Sequence, residues 1–144
     1  MPKFIYKFDT IRKVKESLEK KVQKEVAEID LSIEKYKKIL QKLSDEEKEQ
    51  RSKFTTNIKI VEIKERQAYL VSLKKKIENV QLQISALYLQ REKKIHELIQ
   101  KSKEHKIFDS LEDVYREQFD EEEKRVEMVQ VNETATQRFV REMK

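Results

Sequence analysis

The sequence predicts an all-α fold in which two long helices pair as an antiparallel coiled coil, and three observations support this prediction. Charged residues make up 42% of the 144 residues and hydrophobic residues 37%, whereas globular proteins carry about 25% charged residues. Glycine is absent and Pro2 is the only proline, so the chain lacks the residues that short strands and tight turns need. Apolar residues recur every three or four positions, which is the spacing of one helical face. One stripe per helix is buried most simply by a second helix, and we expect a single coiled-coil domain over residues 1–144.

The first helix is expected at about residues 4–52, where an apolar ladder advances in steps of three and four residues. The ladder consists of Ile11, Val14, Leu18, Val22, Val26, Ile29, Ile33, Tyr36, Leu40 and Leu43. After Leu43 no apolar residue occurs before Phe54, so the stripe ends within a charged stretch.

The chain reversal is expected at about residues 53–60, because the stretch FTTNIKIVEI is rich in β-branched residues that fit a helix interior poorly. In the absence of glycine, Asn57 is the residue best able to adopt a left-handed backbone conformation. An alternative signal lies earlier, where Ser44 and Glu47 have the spacing of a capping box that starts a helix.

The second helix is expected at about residues 61–142. Its ladder includes Ile63, Leu70, Leu73, Ile77, Val80, Ile84, Ile95, Leu98, Phe108, Leu111, Tyr115, Phe119, Val126, Val129 and Val140. The ladder is interrupted near Arg91 and again at residues 102–105, and Asp109 with Glu112 has capping-box spacing. The alternative fold is therefore a three-helix bundle with a break near residue 108.

The unequal helix lengths predict a surface for a partner. About 80 helical residues extend roughly 120 Å and about 50 extend roughly 75 Å, so pairing outward from a turn near Thr56 puts Phe8 opposite Glu104. Everything after Phe108 then lacks an intramolecular partner, yet its apolar stripe continues. Exposed apolar stripes of this kind are typical of binding surfaces. The alternatives are that this part folds back as a third helix or dimerises.

The composition argues against several classes of function. Basic and acidic residues number 33 and 28 and are interspersed, which is not the pattern of a nucleic-acid-binding protein. Without cysteine there are no disulfides or thiolate metal sites, and His96 and His105 lie off the spacing that places two ligands on one helical face. Paired helices enclose no cleft for catalysis, so we expect no enzyme, catalytic residue, metal or cofactor. No apolar run is long enough to cross a bilayer, so we expect a cytoplasmic protein without direct membrane insertion.

Several segments together resemble the FliJ family, coiled-coil proteins of flagellar type III export that are similar to the central stalk subunits of rotary ATPases. The resemblance begins with Phe4 and Phe8, followed by TIRKVKESLEKKV. It continues in AYLVSLKKKIENVQLQISAL and in KIFDSLEDVYREQFDEEEKRVEMVQVNETATQRFVR. The sequence departs from the family pattern at Lys76, where a small residue is common, and at VNETA, where an acidic pair commonly precedes the alanine.

The resemblance implies a non-enzymatic protein that docks in the ring of the hexameric flagellar export ATPase, contacts the export gate membrane protein and escorts export chaperones. It implies a location in the cytoplasm, peripherally associated with the inner face of the cell membrane. The ring-facing candidates are Phe4, Phe8, Leu111, Tyr115, Phe119, Arg125, Val126 and Arg138. The gate-facing candidates are Tyr69, Leu73, Lys76 and Val80.

These roles have alternatives in the same residues. Leu73 and Val80 lie on the apolar ladder, so their alternative role is packing between the helices. The alternative for Arg125 and Arg138 is that they are solvated side chains without a partner protein. For the whole protein, the alternatives are a stalk protein of a virulence-type secretion system and a purely structural coiled-coil dimer.

Overall fold

The computed structural model describes residues 2–53 and 59–143 and confirms the all-α fold of two long helices that pack against each other. The helices are α1 (Asp9–Ser52) and α2 (Ile60–Met143), and no strand occurs among the described residues. Neither helix contains a stretch long and apolar enough to cross a membrane.

Helix α1 begins at Asp9 rather than at residue 4, so this predicted boundary is wrong. The carbonyl of Phe8 accepts the first helical hydrogen bond, from the Arg12 N–H at 2.8 Å, and Asp9 supplies an acidic side chain to the first turn. Residues 2–6 are not helical. The physical reason is the alternation of Phe4, Tyr6 and Phe8, which a helix would distribute around its circumference but an extended chain keeps on one side.

The two alternative helix boundaries predicted from capping-box spacing do not occur. Helix α1 runs without a break past Ser44 and Glu47 to Ser52, and α2 runs through Phe108 to Met143, so the three-helix bundle is wrong. Glu112 does not cap a helix start at Asp109; its side chain forms an ion pair with Arg12 of α1. The reversal predicted at residues 53–60, with Asn57, falls mainly on residues 54–58, which lie outside the described residues.

The chain divides into two compact units, Met1–Glu19 with Gln100–Lys144 (unit 1) and Lys20–Ile99 (unit 2). The expectation of a single domain stays a prediction. In each unit, residues early in the chain pair with residues late in the chain, which is the antiparallel arrangement that the ladders predict.

Unit 2 has a thin core. Its buried side chains among the described residues are Val22 and Ile33 of α1 and Leu73 of α2, and all three belong to the predicted ladders. Ion pairs flank this core: Arg91 Nε lies 2.6 Å from Asp30 Oδ1, and Lys94 Nζ lies 2.5 Å from Glu25 Oε2. The arrangement is that of a two-helix seam with charged residues on its margins.

Unit 1 has a different register from the predicted one. The ring of Phe8 contacts the ring of Phe108, with centroids 6.2 Å apart, whereas counting outward from the turn placed Phe8 opposite Glu104. Glu104 instead pairs with Lys15 at 3.2 Å. Side-chain contacts in the unit therefore determine the register, and the count missed it by one to two helical turns.

Candidate partner-binding surface

Six aromatic side chains of unit 1 pack together and define the aromatic cluster, Phe4, Tyr6, Phe8, Phe108, Tyr115 and Phe119. The ring centroids of Phe4 and Phe119 are 5.6 Å apart, and Tyr115 lies 6.1 Å from Tyr6 and 6.0 Å from Phe8. The α2 members fall on one helical face because they are spaced by seven and four residues. Tilted contacts at these distances stabilise aromatic clusters by ~0.5–1.5 kcal/mol per pair beyond simple burial.

Tyr6 is the most buried member of the aromatic cluster, although sequence reasoning did not select it. Tyr6 is 7% exposed, and its hydroxyl donates a 2.6 Å hydrogen bond to the backbone carbonyl of Phe108. Burial raises the pKa of the Tyr6 phenol, and the nearby Glu112 carboxylate raises it further. The signal that would have found Tyr6 is its place midway between Phe4 and Phe8 in an alternating pattern.

Charged side chains surround the aromatic cluster. The guanidinium of Arg12 lies 5.8 Å from the Tyr6 ring and that of Arg116 lies 4.8 Å from the Phe4 ring, both within cation–π range. Further along the unit, Lys15 donates a hydrogen bond to Glu104, which holds the pKa of that carboxyl below its ordinary value.

His105 lies between two carboxylates in unit 1. Its Nδ1 is 2.7 Å from Glu19 Oε2, and its Nε2 is 3.3 Å from Asp109 Oδ2. The side chain therefore bridges α1 and α2 at the edge of the seam. No group of three histidine, cysteine or acidic residues with metal-site geometry occurs in the described part of the chain.

The unpartnered stripe begins later than predicted. It was expected from Phe108 onward, but residues 2–8 cover α2 as far as Phe119, and Leu111 and Phe119 are half-buried. The reason is again the extended start: at about 3.3 Å per residue, four extended residues cover nearly the same length as eleven helical residues at about 1.5 Å. Four of the ring-facing candidates, Phe4, Phe8, Tyr115 and Phe119, are thus packed against one another.

The last turns of α2, residues 124–143, are exposed throughout. At 100° per residue, their apolar side chains form two stripes on different sides of the helix. The inner stripe continues the line of the aromatic cluster and consists of Val126, Val129, Val140 and Met143. The outer stripe lies on the other side and consists of Met128, Val131, Ala135 and Phe139. Both stripes are exposed along their length, with Pro2 beside Val126 at the start of the inner stripe, so both are available to a partner.

The two arginines among the ring-facing candidates differ in their surroundings. Arg125 binds Glu122 of its own helix through two hydrogen bonds, of 2.6 and 3.1 Å, and this contact lowers the pKa of the Glu122 carboxyl. Arg138 is exposed, and it lines a shallow groove with Val131, Ala135 and Phe139 of the outer stripe.

The gate-facing candidates lie in unit 2 and divide into buried and accessible side chains. Leu73 is 1% exposed and Val80 is half-buried, so both pack between the helices as their ladder positions indicate. Lys76 is exposed. Tyr69 is partly exposed, and its hydroxyl donates a hydrogen bond to Glu46. Only Tyr69 and Lys76 of this set offer substantial surface to a partner.

Comparison with known proteins gives one finding. A family model described as the flagellar FliJ protein matches residues 4–144, which is nearly the whole chain. No curated protein and no solved structure matches the chain significantly.

Proposed function

Because the chain belongs to the FliJ family, a family of flagellar export, we propose that it docks as a non-enzymatic stalk in the ring of the hexameric export ATPase. The observation that carries this proposal is the inner stripe. Val126 and Val129 are each 44% exposed, and they lie where α2 extends beyond the aromatic cluster. A soluble helix that keeps such a stripe uncovered is expected to bury it against another protein.

The structure changes which ring-facing candidates are good contact residues. The aromatic members are engaged in the aromatic cluster, so we assign them the role of holding residues 2–8 against α2. Val126 of the inner stripe and the exposed Arg138 remain as proposed ring contacts, and we add Val129. A partner can contact each of these three exposed side chains without displacing the residues of the aromatic cluster.

Aspartate in place of Val129 tests the docking, because a buried charge without a partner opposes association. We expect Val129→Asp to lose most binding to the purified export ATPase and most of the stimulation of its hydrolysis. Phe119→Asp is less suitable, because it would also disrupt the contact between Phe119 and Phe4.

The matched control is Leu31→Asp, which makes the same kind of change at an exposed leucine of unit 2. Circular dichroism should show equal helix content in both variants. If Val129→Asp and the control bind and stimulate a competent ATPase equally, the inner stripe is not the docking surface. If the unchanged chain neither binds nor stimulates it, the stalk proposal itself is wrong.

We further propose that unit 2 contacts the export gate membrane protein through Tyr69 and Lys76, and that the protein escorts export chaperones. Both roles follow from the family resemblance, and the exposure of these two side chains supports the first. The gate contact would bring the protein from the cytoplasm to the inner face of the membrane as a peripheral component.

A further inference from the structure

The outer stripe supports a second inference. The charged residues beside it are arranged so that acidic residues of one copy can face basic residues of a second, antiparallel copy. Met128 and Val131 are each 66% exposed and Phe139 is 62% exposed, which makes these side chains more accessible than the valines of the inner stripe. Successive members of the outer stripe are three, four and four residues apart, so they form one continuous helical face. Such a face is suited to pairing with another helix.

Four charged side chains border the outer stripe. Glu127 and Arg138 are eleven residues apart and therefore point in directions that differ by only about 20° around the helix. Lys124 and Glu142 are eighteen residues apart and point in the same direction. None of these four side chains has an ion-pair partner within the described residues, although Arg138 and Glu142 have the i,i+4 spacing that permits one.

We propose that the outer stripe is a self-association surface, on which a second copy of this chain binds antiparallel. In a two-fold symmetric pair, residues on the same side of the helix meet reciprocally. When Val131 of one copy lies opposite Ala135 of the other, Lys124 lies opposite Glu142. Arg138 is then one residue, about 1.5 Å along the helix axis, from the position opposite Glu127, which is within reach of these long side chains. Both pairs occur twice, so one register buries the apolar face and forms four interchain ion pairs.

The inner stripe does not support the same pairing. The same register on that side of the helix would place Glu133 opposite Glu133 of the second copy, and like charges in direct contact oppose association. The charge pattern therefore selects the outer stripe for self-association. The self-association proposal does not rest on ring docking, but both surfaces include Arg138, so the two associations would compete there.

The affinity is expected to be modest. The paired segments overlap over about 30 Å and contribute four apolar side chains per copy. The surface area that they bury is therefore smaller than the ~1,200 Å² buried in stable interfaces. We expect a dissociation constant on the order of 100 μM, so the chain is a monomer when dilute and a dimer when concentrated.

Sedimentation equilibrium of the full chain at concentrations from about 5 to about 500 μM, a range that spans the expected dissociation constant, tests the proposal. The mass should rise from 17.5 kDa towards twice that value. Glu127→Arg alone and Arg138→Glu alone should each weaken the dimer about tenfold or more, because each places like charges together. The double variant, which exchanges the two charges, should restore the original affinity.

The matched control combines Glu133→Arg with Arg141→Glu, which makes the same exchange on other sides of the helix and should leave the dimer unchanged. Circular dichroism checks that all variants keep their helix content. A mass of 17.5 kDa at every concentration would overturn the proposal and leave the outer stripe to a different protein. It would equally be overturned by a dimer whose affinity the double variant does not restore.

Discussion

Replacement of Leu73 by alanine is expected to reveal how much stability the thin core of unit 2 supplies. Leu73 is 1% exposed, so the substitution removes contacts that are made almost entirely inside the protein. Losing a buried leucine side chain and leaving a cavity costs ~2–5 kcal/mol. A two-helix seam has open margins through which neighbours relax, so we expect a loss of about 3 kcal/mol in the free energy of unfolding.

Urea denaturation followed by circular dichroism at helical wavelengths measures this loss, and thermal unfolding should shift downward by about 6–12 °C. Two controls separate packing from other effects. Leu73→Met keeps the volume and should cost less than ~1.5 kcal/mol, while Leu82→Ala changes a side chain that is 69% exposed and should stay within ~0.5 kcal/mol.

Equal losses for Leu73→Ala and Leu82→Ala would refute the reasoning, because burial would then not determine the cost. The same series bears on function. If Leu73 acts only in packing, Leu73→Met should bind the export gate protein as well as the unchanged chain does.

Three further predictions concern other parts of the molecule. Deletion of residues 2–8 should uncover the α2 face around Phe119 and increase the fluorescence of a hydrophobic dye such as ANS, whereas no increase would mean that this segment covers little apolar surface. The pKa of Glu104 is lowered chiefly by the hydrogen bond from Lys15, so its stabilising contribution is complete above the ordinary glutamate pKa and is lost as the pH falls through the lowered one. Glu104→Gln should therefore flatten the acid side of a stability–pH profile measured by urea denaturation, and an unchanged profile would contradict this assignment. Lys76→Glu should weaken binding to the export gate protein in a pull-down without changing helix content, and unaltered binding would remove Lys76 from the proposed contact.

The helices were predictable from this sequence because apolar residues spaced by three and four positions lie on one helical face, and that face is buried whichever residues of the other helix it meets. Val22, Ile33 and Leu73 were all ladder residues and all became core. The start of α1 was harder to predict, because Phe4 and Phe8 fit helical spacing as well as they fit alternation. Only the burial of Tyr6 between them distinguishes the two patterns.

The sequence predicted that α2 carries an exposed apolar surface, but it did not predict which residues of α2 form that surface. Apolar residues require a covering surface, but the sequence does not say whether that surface is another protein or a segment of the same chain. Tyr115 and Phe119 were expected to face a partner and instead pack on Tyr6 and Phe4. The register was equally hidden, because the ladders do not define the position between Leu43 and Ile63 at which the chain reverses. The pairing of Lys15 with Glu104 depends on that position.

The aromatic cluster has a consequence for the order of events during protein synthesis. Tyr6 and the Phe108 carbonyl that it binds are 102 positions apart in sequence, and ribosomes add about 5–20 residues per second. Tyr6 thus leaves the ribosome roughly 5–20 s before its acceptor, and neighbouring Phe4 and Phe8 wait for a similar time. During that interval these rings are exposed to chaperones and to other nascent chains, and a translational pause ahead of Phe108 would lengthen the exposure.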